Sequence, residues 1–277
     1  MLLVFLLIPV VLTGLYVFCL LPQLPRRSME PFLGRDYAHR GLFDNEGIPE
    51  NSLPAFRRAA DQGFGIELDV QRAADGTLMV FHDDGLERMC GIRRDLGACT
   101  FNELRAAHLL DTEELIPTFA EVLQTVRGRV PLIVEIKAGA NLSGTCAQVD
   151  AALQRYPGLA CIESFDPRAV RWFRRHSPQR IRGQLVFSPY RHRPLRRDLK
   201  SYFLSAMPGN VLTRPDFIAH EVESARHPAF LLARKLGART VAWTVRSQKQ
   251  MDSLRGSWDL QIFDSFVPER RSEEPSD

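Results

Sequence analysis

Glu67 and Asp69 lie two residues apart in Gly65-Ile66-Glu67-Leu68-Asp69-Val70, a run otherwise made of apolar strand formers. Side chains at i and i+2 of a strand point to the same face. Inside a barrel, two carboxylates so placed would repel each other and be poorly solvated unless a cation lay between them. A hard divalent ion with oxygen ligands, Mg2+ or Ca2+, is the natural resolution. The competing reading puts one carboxylate in a salt bridge and the other at a strand end. The pattern recurs in Leu132-Ile133-Val134-Glu135-Ile136-Lys137, where Glu135 and Lys137 share a face and add a further carboxylate and a fixed positive charge. A purely structural Glu135–Lys137 pair within one buried strand is a costly alternative. Glu67, Asp69, Glu135 and Lys137 together therefore predict a site for a metal and a phosphate.

Two histidines stand at the ends of apolar runs, His39 in Ala38-His39-Arg40-Gly41 and His82 in Leu78-Met79-Val80-Phe81-His82-Asp83. Barrel enzymes place catalytic groups at the C-terminal rim of their strands. Two such histidines beside a carboxylate cluster point to acid/base chemistry. His108, His176, His192, His220 and His227 lack this setting.

Positioning these groups requires parallel strands, and the chain supplies the pattern. Strands are expected at Tyr37–His39, Ile66–Val70, Leu132–Ile136, Leu159–Glu163, Gly183–Phe187, Phe217–Ala219, Arg239–Thr244 and Leu260–Phe263, with an extra short one at Leu78–Phe81. Helices are expected at Ser52–Gln62, Thr118–Val126, Cys146–Gln154, Pro167–His176, Pro228–Leu236 and Ser247–Leu254. Such alternation predicts crossover helices joining parallel strands, here an α/β (β/α)8 TIM barrel over residues 36–267. A doubly wound sheet is the alternative, but no glycine-rich phosphate loop follows any expected strand.

Residues 1–22 carry no charged side chain and are rich in Leu, Val, Phe and Ile, so they read as a transmembrane anchor. A cleaved signal peptide is the rival reading, without a preceding Lys or Arg or a clear small-x-small cleavage site. Arg26, Arg27 and Arg35 after the apolar run place the barrel on the cytoplasmic side of a single-pass membrane protein by the positive-inside rule. Pro22, Pro25 and Pro31 mark residues 23–35 as a linker, and residues 268–277 form a polar tail. Of 277 residues, 36 are Lys or Arg and 33 Asp or Glu, a balance that argues against nucleic acid as a partner. The five cysteines lack zinc-like spacing and read as reduced thiols, although a Cys90–Cys99 bridge is conceivable in an oxidising compartment. The basic stretch Arg191–Lys200 is either a solvated loop or a contact for anionic lipid head groups.

The ordered motifs His39-Arg40-Gly41, Pro49-Glu50-Asn51-Ser52, Glu67-x-Asp69, Asp75-Gly76, His82-Asp83, Ile116-Pro117-Thr118, Glu135-Ile136-Lys137, Ser164-Phe165 and Trp243-Thr244-Val245 resemble those of the glycerophosphodiester phosphodiesterases. The resemblance runs from His39 to about Asp264. It implies an α/β barrel in which Glu67, Asp69 and Glu135 bind a divalent cation and His39 and His82 serve as the acid/base pair. The activity implied is metal-dependent hydrolysis of glycerophosphodiesters to sn-glycerol 3-phosphate and an alcohol. A lysophospholipase D-like action on lysophospholipids at the membrane is the alternative, and the substrate is in either case a small-molecule or lipid phosphodiester. Arg40 and Lys137 would stabilise developing negative charge. Phe165 and Trp243 would either form an apolar wall for a glycerol or acyl moiety or belong to the core. Arg246 replaces a common Asn, and Ile262-Phe263-Asp264-Ser265 replaces a usual Thr-Asp ending. These departures spare the catalytic set and bear on head-group specificity.

Overall fold

A computed structural model describes residues 2–186 and 204–269, with side chains from Leu7 onward. The basic stretch Arg191–Lys200 and all of the expected tail beyond Glu269 lie outside the described residues.

The strands are β1 Asp36–Ala38, β2 Gly65–Arg72, β3 Leu78–Val80, β4 Leu132–Ile136, β5 Ala160–Ser164, β6 Arg182–Val186, β7 Phe217–Glu221, β8 Arg239–Val245 and β9 Leu260–Phe263. Pairing runs β1, β2, β4, β5, β6, β7, β8, β9 in parallel, and β9 pairs back to β1. An eight-stranded parallel barrel results, as the alternation of elements predicts. β3 folds back antiparallel on β2 and stays outside the closed ring.

Several helices begin where local chemistry favours it. Ser52 accepts a hydrogen bond from the Ala55 amide at 3.3 Å and opens α2, Leu53–Asp61, after the N-terminal helix α1, Leu2–Leu20. The short helices α3, Glu87–Cys90, and α4, Phe101–Leu104, belong to a segment between β3 and α5 with its own apolar cluster of Met79, Phe81, Leu86, Met89 and Leu96. Thr118 and Glu121 form a reciprocal capping box at α5, Phe119–Val126. Asn141 caps α6, Leu142–Arg155, and Asp166 with Pro167 opens α7, Pro167–His176. The buried faces of these helices pack Phe56, Phe119, Val149 and Phe173 against the outer faces of the strands. Burying one such side chain is worth about 1.5–3 kcal/mol.

Inside the barrel, Tyr37, Ile133, Cys161, Leu185, Phe217, Val241 and Ile262 form a separate cluster. Met29 and Phe32 join it, so residues 23–35, expected as a linker, fold against the barrel and help fill its interior. Arg27 pairs with Asp216 at 2.6 Å, and Arg182 Nη2 donates to Gln23 Oε1 at 3.2 Å. The reason is physical: the barrel interior is a packed core, and apolar side chains at its open end need a cover.

The expected membrane span over 1–22 finds no support in the structure. Among the described residues no helix is long and apolar enough to cross a membrane. The end of α1 is also docked on protein: Leu20 is buried with Val186 and Phe230, and Arg214 Nη1 donates to Leu21 O at 2.7 Å. The expectation of a single-pass protein with a cytoplasmic barrel rested on that span and loses its basis. All five cysteines are free, so Cys90 and Cys99 are not bridged.

Candidate active site

At the end of β1 the chain turns through Arg40 at φ 54° and Gly41 at φ 83°, the left-handed region. A Cβ at Gly41 would stand 2.9 Å from the Ala55 backbone, so only glycine fits where α2 crosses the turn. The turn aims the Arg40 amide at Glu67 Oε2, 3.1 Å away. It also leaves the His39 ring against the same carboxylate, with Nε2 3.9 Å from Glu67 Oε2.

Glu67 and Asp69 do share the interior face of β2, and β4 places Glu135 beside Asp69 in register. The three carboxylates are buried, and each offers an oxygen within 4.8 Å of the others. Lys137 Nζ lies 2.8 Å from Asp69 Oδ1 and 2.8 Å from Glu135 Oε1. The lysine therefore bridges the cluster, where the sequence left open a pair with Glu135 alone. Arg40 Nε stands 3.6 Å from Asp69 Oδ2, while its Nη1 donates to Glu50 Oε1 at 2.7 Å.

The electrostatics show how poorly this cluster balances itself. Burial, then the neighbouring carboxylates, raise Glu67 well above the usual carboxylate range. Burial likewise lifts Glu135 to about 7 against the pull of Lys137. Asp69 goes the other way, because Lys137, His82 and Arg40 outweigh its burial and hold it well below the ordinary value. Burial would lower Lys137, but Asp69 and Glu135 keep it protonated and raised. A bound divalent cation would suit these oxygens, since they form a compact, desolvated, acidic donor set of hard ligands.

Both histidines are oriented by aspartates. His39 Nδ1 is 2.9 Å from Asp264 Oδ2, and His82 Nδ1 is 2.5 Å from Asp83 Oδ1. The His39 hydrogen bond outweighs burial and keeps Asp264 below its usual range, hence ionised. An ionised partner makes Nδ1 the protonated nitrogen and frees the Nε2 lone pair. Burial lowers both histidines from their ordinary value, so each stays neutral at neutral pH.

Phe165 and Trp243 meet edge to face, with ring centroids 5.6 Å apart, at the rim of the barrel-interior cluster. Thus the structure joins His39, Arg40, Glu67, Asp69, Glu135 and Lys137 by direct contacts, sets His82 in their field, and pairs Phe165 with Trp243 beside the interior cluster.

The sequence model of the glycerophosphoryl diester phosphodiesterase family matches residues 39–257 of this chain, the stretch that carries every one of these groups except Asp264. The chain belongs to that family. A glycerophosphodiester phosphodiesterase of Caldanaerobacter subterraneus is 29% identical over 78% of the chain and 88% of its own length. Mouse glycerophosphodiester phosphodiesterase 1 is 31% identical over 65% of the chain and 60% of its own length. Among solved structures, an Oleispira antarctica phosphodiesterase in complex with the product sn-glycerol-3-phosphate superimposes with TM-score 0.70 at 20% identity, covering 86% of this chain and 96% of that one. That similarity supports the barrel fold.

Several site residues of this family member escaped the sequence reading. Asp264 was noted only as a departure from the usual ending, yet it orients His39 from across the barrel seam. The Pro49–Ser52 motif turns out to be a positioning device: Asn51 Nδ2 donates to Asp69 Oδ2 at 2.8 Å, and Glu50 clamps Arg40 and Arg88. Glu163 pairs in register with Glu135 and is buried, with Oε2 lacking a hydrogen-bond partner among the described residues. Burial and the adjacent carboxylates raise it well above the ordinary range. The i, i+2 rule applied to Ala160–Ser164 was the available signal, since it puts Glu163 on the interior face with Cys161.

Proposed function

We propose that the protein hydrolyses glycerophosphodiesters to sn-glycerol 3-phosphate and an alcohol, with a divalent cation held by Glu67, Asp69 and Glu135. The observation that carries this reading is the buried carboxylate cluster flanked by two histidines, each oriented through Nδ1 by an aspartate. When bound, the cation would polarise a phosphoryl oxygen and offset the charge that accumulates as a nucleophile adds to phosphorus.

The chain's own groups do the rest. Arg40 and Lys137 bring fixed positive charge to the developing phosphorane-like oxygens. One of His39 and His82 takes a proton at Nε2 from the nucleophile, water or a substrate hydroxyl, and the other delivers one to the leaving alkoxide. Overall, one water is consumed: its oxygen ends on phosphorus, the P–O bond to the alcohol breaks, and the alcohol leaves protonated. Phe165 and Trp243 shield the glycerol side and exclude water from it.

The membrane-linked lysophospholipase D alternative was motivated by the expected anchor, which the described residues do not supply. The test is release of sn-glycerol 3-phosphate from glycerophosphoethanolamine by purified protein with and without Mg2+ or Ca2+. Chelator-sensitive release is expected. Full activity in excess chelator, or release only from lysolipids, would sink the proposal.

A further inference from the structure

A cavity of about 510 Å³ opens beside the carboxylate cluster, with Lys137 and Gln71 in its wall. Its charged lining is mixed: Arg72 comes from the end of β2, while Asp84 and Asp95 come from the segment after β3. Asp84 follows directly on His82-Asp83, so the cavity lies on the His82 side of the site, apart from the Phe165–Trp243 wall. None of the Arg72, Asp84 and Asp95 side chains makes a hydrogen bond or ion pair with the protein among the described residues.

Two glycines leave room for the guanidinium. A Cβ at Gly76 would come within 2.7 Å of Arg72 Nη2, and one at Gly144 within 2.7 Å of Nη1. Gly76 has φ 93° and is glycine for its turn in any case. Gly144 is different, because it sits in the first turn of α6, where glycine costs about 1 kcal/mol relative to alanine. Its smallness leaves room for the guanidinium and for the capping Asn141 amide, whose Nδ2 the same Cβ would meet at 2.7 Å. Arg72, Asp84 and Asp95 thus line one cavity with opposite charges that close no ion pair. The remaining wall is made of Ala, Gly, Asn and Thr, with no aromatic ring to receive a quaternary ammonium and no large apolar side chain to receive an acyl chain.

We propose that this cavity receives the leaving alcohol of the phosphodiester and selects one that is itself a zwitterion, an amino alcohol carrying a carboxylate. The serine head group is the smallest of that class. Its carboxylate would meet Arg72 and its ammonium Asp84 and Asp95, which leaves its ester oxygen on the His82 side. Opposite fixed charges held apart favour a ligand that bridges them, whereas an alcohol with only one charge leaves its counterpart unmatched in the cavity. This inference rests on the glycerophosphodiesterase reading above.

The experiment compares kcat and KM of the purified protein, supplied with a divalent cation, on glycerophosphoserine, glycerophosphoethanolamine, glycerophosphocholine and glycerophosphoglycerol. The serine diester should exceed the other three in kcat/KM by about tenfold or more, mainly through KM. Arg72→Gln should bring the serine-to-ethanolamine ratio close to one, and Gly144→Ala should move it the same way by crowding the guanidinium. The pair Asp84→Asn with Asp95→Asn, both on exposed loop, should lower the ethanolamine-to-glycerol ratio. Equal rates on all four diesters, or an Arg72→Gln protein that keeps the serine preference, would overturn the subsite while leaving the activity standing. Hydrolysis of none of them would overturn the functional reading and this one with it.

Discussion

Nδ1 of His39 and Oδ2 of Asp264 lie 2.9 Å apart, although 225 positions separate them, because β9 pairs with β1 and closes the barrel. The ring is thereby held with Nε2 toward Glu67. Asp264→Asn should lower kcat by about tenfold or more, since the amide no longer enforces the reactive tautomer. Asp264 also raises the His39 pKa, so the limb of the rate profile set by His39, acidic if it is the base and basic if it is the acid, should move to lower pH in the variant. A pH profile of kcat/KM checks both, and an unchanged rate and limb would remove Asp264 from the machinery.

His39→Ala and His82→Ala should each reduce turnover about a hundredfold or more. In the native protein, burial holds both histidines below their ordinary value, so each remains neutral as pH drops through 6.5. Activity should therefore persist somewhat below that pH and fall only when the histidine acting as base is protonated. Near-native turnover in either alanine variant rules out that residue's assignment.

Cation binding should also register as stability. Glu67, Asp69 and Glu135 repel one another in the ligand-free fold, and an ion that binds only the folded state stabilises it by about 2.7 kcal/mol at a hundred times its Kd. Thermal melting with increasing Mg2+ or Ca2+ should show a rise in Tm that Glu67→Gln weakens. A melt indifferent to both cations would contradict the assignment of these carboxylates as ligands.

Glu50 is buried and accepts from Arg40 and Arg88. Burial acts to raise its pKa, but the two guanidinium groups prevail and bring it down to about 2. A depressed carboxylate pKa stabilises the fold above its unfolded value, near 4.5, and that contribution is lost as pH falls toward about 2. Its size is about 3 kcal/mol. Urea melts from pH 6 to pH 2.5 should show a smaller acid-induced loss in Glu50→Gln than in the native chain. Parallel curves for the two would mean that the clamp carries no such coupling.

Phe32 belongs to the cluster inside the barrel, and Tyr37 Oη donates to its carbonyl at 2.8 Å. Phe32→Ala should cost about 3–5 kcal/mol. Denaturant melts of the variant measure it, and a loss below about 1 kcal/mol would restore residues 23–35 to the status of a passive tether.

Much of the site is legible in the sequence, because strand periodicity is a local property. Two residues apart on a strand means one face, so Glu67 with Asp69 and Glu135 with Lys137 were bound to point together once strands formed there. Alternation of strand and helix likewise specified parallel strands joined by crossovers, with a doubly wound sheet as the alternative to the barrel. Composition over Met1–Leu21 suggested an anchor, but hydropathy is blind to docking, and the packing of Leu20 and the Arg214 contact to Leu21 involve residues almost two hundred positions away.

What the chain determined by itself was therefore whatever depends on neighbours along the backbone: the strands, the caps at Ser52 and Thr118, and the shared faces of the acidic pairs. Only the closed barrel decided that Asp264 orients His39, that Asn51 reaches Asp69, that Glu163 joins Glu135, and that Arg72, Asp84 and Asp95 line one cavity. Those relationships depend on register between strands and on where loops return, and both are settled by burying apolar surface over the whole molecule rather than by any short stretch of sequence.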